Sequence, residues 1–403
     1  MKTHITKVTN RLLNYVEAAD HAGYDPYDAL NSPVLRALSF KNRWARIALI
    51  QLLRRLPVNL RAVFGVKKGH NPKAIGLFLW GYAKLYAVEK KPEYLQRIKS
   101  LLSLLEKLKS SGYCGNCWGY NFDWQSRGSF VPRFTPTVVN SSFIGHALID
   151  TYRYTGIQHA LDMAVSTKDF ILSDLDRYEE DGTQCFSYTP IGGLKVHNAN
   201  MLGASLLIRI HGLLGEERLR QEALAALAYS IRYQREDGSW YYGQADYQNW
   251  IDSFHTGFNL QALRYFLDEG CEEYRLAFDK GIKYYAENFF LEDGTPKYYH
   301  DRIYPIDIHS PAQAICFFSH QGQEYQNLTD KIVHWMLTNM YSGDGYFYFR
   351  KGRFVTNKIS YMRWSQAWAF HALTEYLCPK HKETKAHTTH NVASVHRYSG
   401  HFV

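Results

Sequence analysis

Asp252 and His255 stand three residues apart in DGSWYYGQADYQNWIDSFHTGFNLQAL, at what reads as a loop-to-helix junction flanked by Trp240, Tyr241, Tyr242 and Trp250. A carboxylate that orients an imidazole makes it a general base. The structural alternative is that Asp252 caps the helix and His255 sits hydrogen-bonded in its first turn. A second carboxylate, Asp123, lies in CWGYNFDWQSR beside Trp118, Tyr120 and Trp124, with Arg127 following. Hydrolysis of a glycosidic bond needs two carboxyl groups at a defined separation, and Asp123 with Asp252 is the candidate pair. Arg127, Arg302 and Arg363 are candidates to clamp a carboxylate through the guanidinium fork, although arginine also braces turns and caps carbonyls. If the ligand is a uronate, a second chemistry opens. A neutral His or Tyr removes the proton α to the carboxylate while Arg neutralises the developing charge, giving elimination or C5 epimerisation.

Other chemistries find little support. Cys114 and Cys117 form C-x-x-C, but no second pair follows at zinc-ribbon spacing, and there is no H-E-x-x-H. No metal is expected. The phosphate, dinucleotide and serine-nucleophile motifs G-x-x-x-x-G-K-[ST], G-x-G-x-x-G and G-x-S-x-G are missing, so no cofactor is expected either. QREDGSW is similar to a turn motif of terpene cyclases, whose aspartate-rich motifs do not occur. A net charge of +9 permits nucleic-acid binding, yet no RNA- or DNA-binding module pattern occurs and none is expected.

These residues fall on a repeat. Six polar clusters each open an apolar helical run, near His70-Asn71, Asn140, Asn198, His255, His309 and Arg363. Matching Gly76, Gly145, Gly203 and Asn259 gives steps of 69, 58 and 56, while the turns Asp181-Gly182, Asp237-Gly238, Asp293-Gly294 and Asp344-Gly345 are spaced by 56, 56 and 51. A period of this length implies one helical hairpin per copy. Six hairpins close naturally into an all-α (α/α)6 toroid, with short strands or aromatic loops at the mouth of a central funnel. The polar clusters then meet on one rim, where helix N-termini offer free N–H groups to hydroxyl-rich or anionic ligands. That phase collects Asn140, His197, Asn198, Asn200, His255, His309, Arg363 and Trp364, with Tyr188, Asp307 and Tyr361 close by in sequence. The loop GYDPYDALNSP is expected to cover the mouth, adding Asp25, Asp28 and Asn31.

The chain divides into residues 1–69, carrying a helix, a polar loop and a basic amphipathic segment packed on the toroid; 70–378, the repeats; and 379–403, a flexible tail without apolar periodicity. From Ala29 to Val88 no acidic residue occurs while Arg and Lys accumulate. Residues 36–68 are therefore a candidate peripheral contact with an anionic membrane, the alternative being a solvated outer face. No secretory signal and no bilayer-spanning run is visible, which points to the cytoplasm and to reduced thiols for the six cysteines. Aromatic residues reach 15%, including 31 Tyr and 9 Trp. That composition suits sugar pockets as well as the packing of large hairpins.

The strings GYDPYDALNSP, HNPKAIGLFL, CWGYNFDWQ, CFSYTP, VHNANMLGA, DGSWYYG, WIDSFHTGFNLQAL and GRFVTNKISYMRWSQAW carry a resemblance across roughly residues 20–377. Through them the chain resembles a bacterial family of six-hairpin, glycosidase-like (α/α)6-toroid proteins associated with capsule and exopolysaccharide biosynthesis. The resemblance implies carbohydrate work akin to that of six-hairpin glycosidases, uronate epimerases and polysaccharide lyases. It supplies no residue assignments, so the site residues rest on the residue reading alone. The function expected is cell-surface polysaccharide biosynthesis, with a glycan or lipid-linked saccharide, acidic in character, bound and modified in the funnel. The competing expectation is a non-catalytic glycan-binding or assembly component.

Overall fold

The computed structural model describes residues 1–192 and 195–378; residues 379–403, read above as a tail, lie outside the described residues. Helix α1 (Lys2–Ala18) is followed by a polar loop and the short α2 (Pro33–Leu38) and α3 (Arg43–Arg55). From α4 (Pro72–Glu89) onward, inner and outer helices alternate: α5 (Pro92–Lys107), α6 (Val138–Thr155), α7 (Gln158–Ser173), α8 (His197–Leu214), α9 (Glu217–Arg232), α10 (Ser253–Asp268), α11 (Arg275–Phe289), α12 (His309–Phe318), α13 (Gln326–Met340) and α14 (Trp368–Leu377). The even-numbered helices from α4 to α14 pack side by side in a closed ring, α14 returning against α4, and each is backed by an outer partner. The result is an (α/α)6 toroid.

The sixth outer partner is α1. Its residues Ile5, Val8, Leu12 and Val16 join the main core, Tyr15 Oη and Ser360 Oγ share a hydrogen bond at 2.9 Å, and Tyr82 Oη donates to Glu17 at 2.6 Å. The N-terminal helix thus completes the last hairpin as well as packing on the toroid.

Inner helices are buried almost all round, as in α4, where every residue from Pro72 to Leu85 is buried; this is the apolar pattern of a helix enclosed by neighbours. The recurring glycine permits close approach of adjacent inner helices. A Cβ on Gly76 would stand 2.8 Å from Ile144 Cγ1, and one on Gly145 would stand 2.6 Å from Leu206 Cδ2. The polar clusters cap helix starts: Asn71 Oδ1 accepts the Lys73 N–H, Thr137 Oγ1 the Asn140 N–H, Asp252 Oδ1 the His255 N–H and Asp307 Oδ1 the His309 N–H, at 3.1, 3.0, 2.9 and 3.1 Å. Each Asp-Gly turn places glycine at positive φ, 74° at Gly182 and 91° at Gly238, a region that Cβ-bearing residues avoid.

Strands are short and lie at the funnel end. β1 (Trp124–Gln125) pairs with β2 (Phe130–Val131), β3 (Arg177–Glu180) with β4 (Thr183–Phe186), and β5 (Ile306–Asp307), β6 (Arg350–Lys351) and β7 (Thr356–Asn357) form an antiparallel sheet of three. Helix α3 supplies part of the funnel wall. It is held by a small second cluster of Ala29, Leu30, Leu35, Ile50 and Leu53, and Asn42 caps its start.

Candidate active site

The N-terminal ends of the inner helices surround a cavity of about 690 Å³. Lys73 enters from α4, Asn198 from α8, Phe254 and His255 from α10, and His309 from α12; Arg363 and Trp364 come from a π-helical turn, Met362–Ala367, that leads into α14. Loops add Tyr27, Tyr120, Trp124, Arg127, Tyr188, Tyr242, Trp250, Tyr298 and Tyr299, and α3 adds Gln51, Arg54 and Arg55. Among the described residues, five Lys and Arg side chains line the cavity, Arg54, Arg55, Lys73, Arg127 and Arg363, and no Asp or Glu does.

Asp252 does both things expected of it. Oδ1 caps α10 through the His255 N–H, and Oδ2 accepts from His255 Nδ1 at 2.7 Å. Asp252 is 1% exposed, whereas the imidazole opens on the cavity. With Nδ1 holding the proton toward the carboxylate, Nε2 is left as the basic nitrogen. Tyr242 and Trp250 stack at 4.2 Å between ring centroids, with planes at 11°, and Tyr242 lies 4.7 Å from the imidazole. A sugar face would meet these rings beside the base.

His309 stacks on the other contact of Phe254 at 4.4 Å, so that one phenyl ring touches both imidazoles. Both His309 nitrogens are buried with no hydrogen-bond partner. Burial, and then the charges of Lys73 and Arg363, holds its pKa well below the ordinary histidine value, so the ring is neutral. Lys73 was not foreseen from the sequence because it sits in the apolar run of α4. Its Nζ lies 3.9 Å from the Phe143 ring and 5.3 Å from that of Trp368, with no ion-pair partner among the described residues. Burial, and then the Arg363 charge, keeps it well below the usual lysine range. Arg363, by contrast, is already neutralised, with Nε and Nη2 on the Asp25 carboxylate at 2.6 and 2.8 Å.

Of the expected rim, Asn198, His255, His309, Arg363 and Trp364 meet on the cavity, together with Tyr120, Trp124, Arg127, Tyr188 and Tyr242. Several others do not. Asp123 is 2% exposed and directs its carboxylate to Arg36 and to the Arg133 N–H, so the pair with Asp252 across the funnel is not formed. Asp25 and Asp28 brace the covering loop from within, against Arg363 and Arg61, and Asn31 donates to the Asn121 carbonyl. Asp307 is fully buried, holding Trp364 Nε1 at 2.6 Å and Arg350 at 3.0 Å. Trp118 and Trp240 spend their indole N–H groups on the carbonyls of Leu105 and Ser230 in the core.

Asn140 is wholly buried one residue beyond the cavity-lining Val139. His197 turns to Ser230 and Gln244, its pKa lowered to about 4 by burial. Asn200 bonds Phe186 and Ala226, and Tyr361 is buried under the Arg61 guanidinium. Arg302 is exposed and paired with Asp301. What the sequence reading missed, besides Lys73, is the inner face of α3. The residues of α3 were visible as amphipathic spacing, but their inward side was not.

Residues 65–197, from just before α4 to the start of α8, match the family model of the β-L-arabinofuranosidase GH127 catalytic domain. No curated protein matches the chain in sequence. Among solved structures it is similar to cellobiose 2-epimerase from Bacillus thermoamylovorans, at a TM-score of 0.64 and 14% identity over 93% of this chain and 99% of that one. It is also similar to the GH76 α-mannanase BT2949 of Bacteroides thetaiotaomicron, at 0.59 and 11% over 76% and 85%. A polysaccharide lyase scores 0.52 at 13% identity over 75% and 88%. At these identities the likeness establishes the shared six-hairpin toroid.

Proposed function

We propose that the funnel is the active site of a carbohydrate-active enzyme that binds an acidic saccharide and moves a proton on it. The observation that carries this reading is the cavity lining, which among the described residues has five Lys and Arg side chains, no carboxylate, and a histidine aligned by a buried aspartate. Paired-carboxylate hydrolysis lacks its second acid here, because Asp123 is turned to Arg36. Proton abstraction α to a uronate carboxylate needs only what the funnel has. His255 Nε2 takes the C5 proton, the electron pair of the broken C–H bond moves into the carboxylate, and the ammonium of Lys73 stabilises the resulting charge. Return of a proton to the opposite face, from a cavity phenol that becomes the phenolate, inverts C5. Departure of the C4 substituent with a phenol proton gives elimination instead.

The setting we propose is cell-surface polysaccharide biosynthesis, with an acidic glycan or a lipid-linked precursor as substrate; the motif strings quoted above support it. Contact with a membrane surface is part of the same proposal. Phe40 and Trp44 are 84% and 62% exposed beside Lys41 and Arg43, which combines apolar insertion with attraction to anionic lipid. Among the described residues no helix is long and apolar enough to cross a membrane.

The test is incubation of uronate oligosaccharides with the protein in deuterated water, read by NMR and by the absorbance of unsaturated uronate. Deuterium at C5 without chain cleavage identifies an epimerase, and an unsaturated end group identifies a lyase. Tight binding with neither outcome leaves a glycan-binding toroid and sinks the catalytic reading.

A further inference from the structure

Beside the funnel lies a second space, a groove of about 620 Å³ that shares Arg54, Arg55, Tyr298 and Tyr299 with the cavity wall and runs outward past Arg350 and Val355. Among the described residues no acidic side chain lines it. Behind the lining, Asp307 pairs with the groove residue Arg350 at 3.0 Å and lies close enough to Arg54 to act on its charge, while Asp301 is paired with Arg302 at 3.0 Å. Arg54 has no ion-pair partner among the described residues; its guanidinium lies 4.9 Å from the Tyr27 ring, and its Nε is buried without a hydrogen bond. Arg350 uses Nη2 on Asp307 yet leaves its own Nε buried and unpartnered. Burial keeps the Tyr298 phenol protonated, with its pKa well above the usual range, and therefore able to donate. Buried guanidinium donors left unpaired are costly, and an anion is the partner that satisfies them best.

We propose that this groove binds a second anionic group of the same substrate, held by Arg54, Arg55 and Arg350 while the first anion lies at Lys73. The four residues common to both linings set the two spaces side by side, within the reach of one substrate. The inference rests on the reading of the funnel as an acidic-saccharide site. Its chemistry is that of a saccharide with two separated anions: either the next uronate of a chain, or the diphosphate through which a sugar is joined to its carrier.

The experiment is calorimetric titration of the full chain with three probes: glucuronate, a glucuronate trimer and a diphosphate-linked glucuronate. At least one two-anion probe is expected to bind about tenfold tighter than glucuronate or better. In the Arg54→Gln, Arg55→Gln double variant that ratio is expected to fall below about threefold. Preference for the trimer names the polymer as the source, and preference for the diphosphate names the carrier linkage. Should the double variant fail to melt cooperatively, Arg55→Gln alone, at an exposed position, makes the same comparison with a smaller loss. A steeper salt dependence for the two-anion probe in the wild type is a further requirement. If glucuronate binds but neither longer probe gains, or the gain survives in the variants, the second site is refuted while the funnel reading stands. If glucuronate does not bind at all, the funnel reading falls and this inference falls with it.

Discussion

Asp252 holds His255 at two points, through the backbone N–H at 2.9 Å and through Nδ1 at 2.7 Å. One carboxylate therefore fixes both where the helix starts and which imidazole nitrogen faces the cavity. His255→Ala is expected to lower kcat by about 10²–10⁴-fold with glycan binding retained. Asp252→Asn should lower kcat less, leave KM nearly unchanged and shift the pH–rate profile, since it disturbs tautomer and orientation and touches no substrate. Normal turnover and product in both variants, at normal protein levels, would remove the proton-transfer assignment.

Lys73 is held below its ordinary pKa by burial and the Arg363 charge, and a carboxylate beside it restores the ammonium. Between the free and bound pKa values, binding takes up a proton, so affinity falls as pH rises through that interval. Titrations in buffers of differing ionisation enthalpy measure the uptake. Lys73→Met is expected to abolish it and to weaken uronate binding about tenfold.

Three buried imidazoles, His21, His197 and His371, have pKa values lowered from 6.5 to about 4, chiefly by burial. They are neutral in the folded protein while the unfolded chain takes up protons below 6.5, so stability is lost as pH falls from 6.5 toward 4. At about pH 5 the loss is about 2 kcal/mol per imidazole. Urea midpoints at about pH 7 and pH 5 measure it, and His197→Gln should flatten the fall. An unchanged midpoint would count against neutral burial.

Gly76→Ala places a methyl 2.8 Å from Ile144 Cγ1. The expected cost is about 1–3 kcal/mol of stability, as for other overpacked cores, read as a lowered denaturant midpoint with an unchanged slope.

Replacing Phe40 and Trp44 by Ser is expected to weaken flotation with anionic vesicles about tenfold. Equal flotation of the double variant and the wild type, or none by either, would remove the membrane contact.

The repeat, the Asp-Gly turns and the inner-helix caps were legible because each depends on local residue chemistry recurring along the chain. The carboxylates were not. Asp25, Asp28, Asp123 and Asp307 each looked available to a ligand, and each is taken by an arginine from elsewhere, Arg363, Arg61, Arg36 and Arg350. Nothing local to Asp25 announces a partner 338 residues away. Asp252 escaped this ambiguity because its partner lies within its own turn. Lys73 was hidden for the opposite reason. A cation inside an apolar helical run reads as a surface residue until the ring closes around it.

That ring is closed where α14 returns against α4, and α1 backs the closing helix, with Tyr15 and Ser360 joined across 345 residues. The main packing partner of α1 is therefore the sixth inner helix, α14, the last among the described residues. The arginine-bearing turn before α14 clasps Asp25 at the same end of the chain. Closure of the toroid and completion of the funnel thus depend on the same turn and helix, so a truncation that removes them should leave an open crescent with no assembled site rather than a smaller enzyme.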